Sequence, residues 1–170
     1  MELEKLIRDI PDFPKEGILF RDITTLLKDK DGYKEAVERM AKSLEGLGVD
    51  IIVGPEARGF IMGSAVAYAI NAGLVLARKP GKLPAEAISN SYGLEYGSDS
   101  LSLHVDSIKP GQKVAIVDDL LATGGTAKAV CELIEKLGGE VVALRFLIEL
   151  SDLDGRETLK GYNVDALITY

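Results

Sequence analysis

The chain has 170 residues, with 20 Lys and Arg against 27 Asp and Glu, and so a formal net charge of −7 at pH 7. That length suits one ordinary domain, and 46% hydrophobic with 28% charged residues gives enough apolar surface to order it, which excludes disorder as the main state. One cysteine and one histidine exclude an internal disulfide and metal clusters built on those side chains, while the acidic balance speaks against nucleic acid as a partner but leaves room for a local basic pocket.

The first residues, MELEKLIRDIPDFP, are acidic where a secretory signal is basic, and no 18-residue apolar segment occurs anywhere. A soluble, cytoplasmic protein with no membrane association is therefore expected. Tyr33 to Gly46 places Val37, Met40, Ala41, Leu44 and Leu47 at helical spacing, with Gly46 and Gly48 as a stop. Asp50 to Val53 (DIIV) is a short β-branched run between glycines, which predicts a buried strand. Phe60 to Asn71 is almost wholly apolar or small, as in a helix covered on more than one side. Leu74 to Ala77 and Lys113 to Val117 read as further core strands, the latter entered through the turn Lys109-Pro110-Gly111.

Between residues 85 and 106 the pattern changes to glycine and serine turns with alternation at Leu101, Leu103 and Val105, which predicts a projecting loop or hairpin ending in an antiparallel strand. A helix over Gly125 to Leu137 and a strand over Val141 to Leu150 complete the pattern. Alternating strands and helices predict an α/β domain with a mostly parallel central sheet flanked by helices. His104 and Cys131 read as structural, the first facing solvent or a strand partner, the second a small buried hydrophobe.

The chemistry concentrates in AIVDDLLATGGTA. An apolar strand is expected to end in Asp118 and Asp119, followed by a turn, Thr123-Gly124-Gly125-Thr126, that opens the next helix. Free N–H groups at such a helix start attract a phosphate, and glycine lets the backbone approach it. Carboxylates beside a phosphate site repel phosphate unless they address something else, and vicinal sugar hydroxyls are suitable donors. A phosphorylated ribose meets both requirements. The P-loop and dinucleotide fingerprints are absent. A plain capped turn is the bland alternative.

The segment VDDLLATGGT resembles the phosphoribosyl pyrophosphate motif of the type I phosphoribosyltransferases. FPKEGILFRDIT, GPEARGF, RKPGKLP and YGLEYG are similar to segments of the adenine phosphoribosyltransferase branch, in that order along the chain. The resemblance implies the type I fold in one domain over 1–170, with a small base-binding hood at 1–32 and a mobile catalytic hairpin at 85–106. It implies transfer of phosphoribose from phosphoribosyl pyrophosphate to adenine, giving AMP and pyrophosphate, with Mg²⁺ and in a homodimer.

Phosphoribosyl pyrophosphate needs a second anion site. Arg58, Arg78, Lys79 and Lys82 all stand in the longest acid-free stretch, Ala57 to Ala85, after two strands whose loops share one sheet edge. By the resemblance, Arg58 belongs to the pyrophosphate loop and Arg78, Lys79 and Lys82 to the next one, part of it acting across a dimer interface. Each cation alone could equally be a solvated surface charge. Asp118 and Asp119 would hold the ribose hydroxyls and favour an oxocarbenium-like transition state, with Mg²⁺ held chiefly by substrate oxygens and water rather than by a protein cage.

Glu95 is the candidate for proton handling at the purine, in a glycine-flanked loop able to exclude water, though a surface loop acid has the same signature. The resemblance places the family's catalytic-loop acid at Glu95 and the following aromatic at Tyr96. It also places base reading at ILFRD, with the Leu19 carbonyl and Arg21 amide addressing the adenine edge while Phe20 stacks, and Phe20 in plain core packing is the alternative. Hypoxanthine-guanine enzymes carry an acid where this chain has Ala122, which favours adenine. Competing readings are the same transfer to another purine such as xanthine, and a non-enzymatic sensor of phosphoribosyl pyrophosphate. A sensor would be expected to carry a basic face or an added domain and to lack the loop acid.

Overall fold

A computed structural model describes residues 1–94 and 97–170. After a 3₁₀ turn at Leu3–Leu6, the chain runs through β1 (Arg8–Pro11), β2 (Leu19–Asp22), α1 (Thr24–Leu27), α2 (Lys30–Ser43), β3 (Ile51–Pro55), α3 (Gly59–Ile70) and β4 (Gly73–Ala77). It continues with β5 (Ala87–Leu94), β6 (Gly97–His104), β7 (Lys113–Leu121), α4 (Gly125–Lys136), β8 (Glu140–Glu149), α5 (Gly155–Thr158) and β9 (Val164–Thr169).

Five strands form the central sheet in the order β4-β3-β7-β8-β9, every pair parallel. From β3 the chain moves outward to β4 and then returns to place β7 on the other side. That reversal opens a crevice at the carboxyl ends of β3 and β7, where α/β sheets hold their ligands. The β-branched runs predict these strands because both faces are covered, as parallel sheets require. Ile52, Ala115, Val117 and Leu147 pack under α2 and α3 with Met40, Met62 and Val66. Val53, Ile116, Leu144 and Phe146 pack under α4 with Val130, Cys131 and Ile134. Cys131 is thus the buried hydrophobe expected of it.

Helix α2 begins earlier than its apolar spacing suggests, because the Asp29 carboxylate accepts the Gly32 N–H at 2.8 Å and caps it. A side chain at Gly32 would strike Leu6, so the glycine there marks close packing and not a break. Helix α3 stops where Asn71 turns left-handed at φ 58°. Two small antiparallel sheets flank the main one: β1 with β2, and β5 with β6. The second is the expected hairpin, with Leu101 and Leu103 buried and the half-buried His104 accepting the Ala85 N–H through Nε2 at 3.3 Å.

One expectation is corrected. Strand β7 does not end at the acidic pair but runs to Leu121, with Asp118, Leu120 and Leu121 paired to Phe146, Ile148 and Glu149 of β8. Ladder pairing is a backbone property, and β8 reaches far enough to continue it past the two carboxylates. Among the described residues no helix is long and apolar enough to cross a membrane.

Candidate active site

The crevice contains a cavity of about 330 Å³ whose lining includes Glu56, Arg58, Lys79, Tyr92, Asp99, Asp118, Asp119 and the run from Ala122 to Thr126. Its floor is the end of β7. Its rim is the turn into α4, where Gly124 stands at φ +86°, a conformation that glycine adopts without strain. The space beside Gly124 is closed by α5, since an added methyl would lie 2.8 Å from the Gly155 carbonyl oxygen and 3.0 Å from Thr158. The first N–H groups of α4 have no partner within the helix, and Thr123 and Thr126 add hydroxyls beside them. A phosphate group therefore finds donors, positive helix potential and bare backbone together.

The two carboxylates of the floor differ. Asp119 is 7% exposed and accepts the Arg58 Nε–H at 2.5 Å. Asp118 receives the Asp119 backbone N–H at 2.8 Å. Although part of it faces the cavity, withdrawal of its carboxyl from bulk water, reinforced by the Asp119 charge, raises its pKa well above the ordinary carboxylate range. Gly59 is needed here, because a methyl on it would stand 2.9 Å from Asp118 Oδ1 and 2.7 Å from Pro55 Cδ.

Glu56 was not singled out from the sequence. Its carboxylate accepts the Lys79 backbone N–H at 2.8 Å and the Arg78 Nη2–H at 2.9 Å. Those two bonds, the backbone one foremost, hold its pKa below the usual value. It stands one residue before the acid-free stretch, so a count that began at Ala57 passed over it. The local cation excess is correspondingly smaller than the sequence suggests: Arg58 is paired with Asp119, Arg78 with Glu56, and Lys79 Nζ stands 3.9 Å from Asp99. Lys82 is exposed and does not line the cavity, and neither does Arg78. The Arg78 Nε atom is buried with no hydrogen-bond partner among the described residues.

The hairpin leans on α4. Asn90 donates to the Ala129 carbonyl at 3.2 Å and to Glu132 at 2.7 Å, and Tyr92 lies 3.5 Å from the point where a Gly125 side chain would begin. Burial raises the Tyr92 pKa, with Thr126 and Asp99 as side-chain neighbours. Tyr92 and Asp99 thus join the site, as members of period-2 strands whose inward positions were not assigned from sequence. Glu95 and Tyr96 lie outside the described residues.

A second, smaller pocket of about 120 Å³ adjoins the cavity and shares Arg58, Asp119 and Leu120 with it. Its other walls are Ile18 to Arg21, Ile23, Ile148 and Leu150. The Phe20 ring lies edge-on to Phe13 at 5.1 Å, with the Arg58 guanidinium 5.8 Å from its centre. Leu19 and Arg21 are two apart on β2 and so present their backbone groups to the same edge of the strand. The pocket is lined mostly by apolar side chains, with Arg21, Arg58 and Asp119 as its polar members, a composition that suits a heteroaromatic ring.

Comparison with known proteins agrees with this geometry. A family model described as "Phosphoribosyl transferase domain" matches residues 24–165. The chain is 61% identical over 170 residues to the adenine phosphoribosyltransferase of Alkaliphilus metalliredigens, covering 100% of each chain. Among solved structures, the adenine phosphoribosyltransferase of Thermoanaerobacter pseudethanolicus superposes with a TM-score of 0.97 at 54% identity, over 99% of this chain and 98% of that one. That of Saccharomyces cerevisiae, solved with adenine and an imino-altritol bisphosphate, gives a TM-score of 0.92 at 37% identity, over 98% and 96%.

Proposed function

The chain belongs to the phosphoribosyl transferase family, in its adenine phosphoribosyltransferase branch, and from that premise we propose that the large cavity takes phosphoribosyl pyrophosphate and the small pocket takes adenine. The reaction is transfer of the phosphoribosyl group to adenine, giving AMP and pyrophosphate in purine salvage. One observation carries the assignment of the two spaces: they share Arg58, Asp119 and Leu120 as lining, so a base in one lies beside a sugar in the other.

The roles follow from position. Thr123 to Thr126 at the start of α4 take the 5′-phosphate, with the Ala122 backbone beside them. Asp118 and Asp119 address the ribose hydroxyls and favour the positive charge that builds on the ring as pyrophosphate departs. Arg58 and Lys79, which line the cavity, are the cations for the leaving group, and the family resemblance adds Arg78 and Lys82 of the adjoining loop, outside the lining. In this arrangement Glu56 fixes the loop between β4 and β5, since it grips both the Arg78 side chain and the Lys79 amide. Leu19 and Arg21 read the adenine N6 and N1 edge through backbone groups, and Phe20 stacks. Glu95, in sequence between β5 and β6, moves the purine proton with Tyr96 beside it; the support is that Tyr92 and Asp99 of the same hairpin line the cavity.

Enzymes of this family commonly use phosphoribosyl pyrophosphate as its Mg²⁺ complex. The cavity lining includes the acids Glu56, Asp99, Asp118 and Asp119, whose oxygens are of the hard kind that this cation takes. We assign the ion mainly to substrate oxygens and water, where it neutralises pyrophosphate charge. The 1–32 segment serves as the base-binding hood and 85–106 as the closing hairpin, in a cytoplasmic homodimer.

The test is a purified-protein assay with phosphoribosyl pyrophosphate, Mg²⁺ and each purine in turn. AMP from adenine, with little product from hypoxanthine, guanine or xanthine, is the expected outcome. Turnover mainly with an oxopurine would overturn the base assignment.

A further inference from the structure

The base pocket has two walls of separate origin. One is β2, which among the described residues pairs with β1 alone and has no ladder with the central sheet. The other is the carboxyl end of β8 and the residue after it, through Ile148 and Leu150. A slot between two independently built walls keeps its width only where something ties them together.

Arg21 supplies one end of such a tie. Its Nη1–H donates to Asp9 Oδ1 at 2.6 Å, and Asp9 is its ladder partner on β1, so the side chain is fixed within the hairpin. Its guanidinium carbon lies 3.7 Å from the centre of the Tyr170 ring. The ring is held from the other side. The Tyr170 N–H donates to the Glu149 carbonyl at 2.9 Å, and the Tyr170 carbonyl accepts the Ser151 N–H at 2.9 Å and the Ser151 hydroxyl at 2.7 Å. Glu149, the last residue of β8, stands between the pocket-lining Ile148 and Leu150. The aromatic face is therefore anchored to the same segment that builds the second wall. A guanidinium over a ring, with only 18% of its side chain exposed, is attracted more strongly than a solvated one.

From this geometry we propose that Tyr170 is a positioning residue for base binding, holding Arg21, and through it the β2 backbone, at the separation from β8 that adenine requires. The proposal rests on the reading that the small pocket takes the base. Tyr170 lines neither the cavity nor the small pocket, so its effect is confined to the width and register of the slot.

Steady-state kinetics of five variants test it. Tyr170→Leu removes the ring face and raises the KM for adenine by about five- to thirty-fold, while the KM for phosphoribosyl pyrophosphate and kcat stay within about twofold. Tyr170→Phe keeps the face and restores the wild-type adenine KM. Arg21→Gln, which removes the other half of the contact, gives the same selective rise, and in the double variant Tyr170→Leu adds nothing further. Unchanged adenine KM in both Tyr170→Leu and Arg21→Gln overturns the proposal, as does an equal rise in both substrates' KM values or a Phe variant as impaired as Leu. Should Tyr170→Leu not fold, Arg21→Gln alone decides between these outcomes. Phe20→Ala separates this from the pocket assignment: if it leaves the adenine KM at wild type, the base lies elsewhere and both readings fall. If it raises that KM while the tie variants do not, the tie alone falls.

Discussion

Asp118 and Asp119 are neighbours in sequence with opposite environments, and the difference has a measurable consequence. Asp119 shares its charge with Arg58, whereas Asp118 is withdrawn from water and faces that second carboxylate. An acid whose folded pKa is raised binds more protons folded than unfolded between its two pKa values. Its contribution to stability therefore falls as pH climbs from the ordinary carboxylate range, and the penalty persists at neutral pH. Asp118→Asn removes the charge yet keeps an oxygen to accept the Asp119 N–H. We expect the variant's Tm near pH 7 to rise by roughly 2–4 °C, with the gain shrinking as pH falls towards the ordinary carboxylate range and gone below about 4. Over the same comparison kcat/KM for phosphoribosyl pyrophosphate should fall at least about tenfold, because the ribose loses a carboxylate partner. A Tm at or below wild type at neutral pH would show that the site stores no such penalty, and intact turnover would remove Asp118 from the mechanism.

At the scale of elements, the phosphate turn depends on a segment that has no chemistry of its own. Helix α5 is four residues long and lies against the turn, where a methyl at Gly155 would meet the Ala122 carbonyl oxygen at 2.5 Å and Leu121 Cδ1 at 2.7 Å. Arg156 locks α5 to the buried Glu149 through Nε and Nη2 contacts of 2.8 to 3.0 Å. Gly155→Ala should therefore displace the turn, raising the KM for phosphoribosyl pyrophosphate about three- to ten-fold and costing ~1–3 kcal/mol of stability. An unchanged KM would mean that the turn holds its shape without this brace. Strands β3, β4, β7 and β8 and helices α3 and α4 were legible in the sequence because each has a run or spacing that a covered face requires. The ends of β7 and α2 were not, since ladder pairing past Asp118 and the Asp29 cap depend on partners remote from, or outside, the periodic pattern. Within the site, the Thr-Gly-Gly-Thr turn and the acidic pair could be read from local order alone. Glu56, Tyr92 and Asp99 could not, because their inward direction is set by which strands meet at the crevice. The cations could be counted but not their pairing, which depends on acids that the fold carries in from β3, β6 and β7.

For the whole molecule, the apolar surface is distributed unevenly. Ile61, Tyr68, Leu74 and Leu76 are 39%, 91%, 41% and 37% exposed, and they sit on α3 and on β4, two elements packed side by side at one end of the sheet. Single exposed apolar residues are ordinary, but a helix apolar nearly all round, beside an edge strand, calls for a cover. We propose that the cover is a second copy of the chain. This seam lies next to the chemistry: Phe60 follows the first residue of α3 and stands 5.9 Å from the Arg78 guanidinium, and Arg78 directly follows β4. Association would therefore shield the pyrophosphate loop as well as the apolar face. The net charge of −7 does not oppose this, since neither α3 nor β4 contains a charged residue. Sedimentation equilibrium at micromolar concentration should give a dimer for the wild-type chain, and the paired substitution Ile61→Glu with Tyr68→Glu should give a folded monomer with lowered turnover. A wild-type monomer at that concentration would leave the face without its proposed partner, and a fully active monomeric variant would detach the loop from the seam.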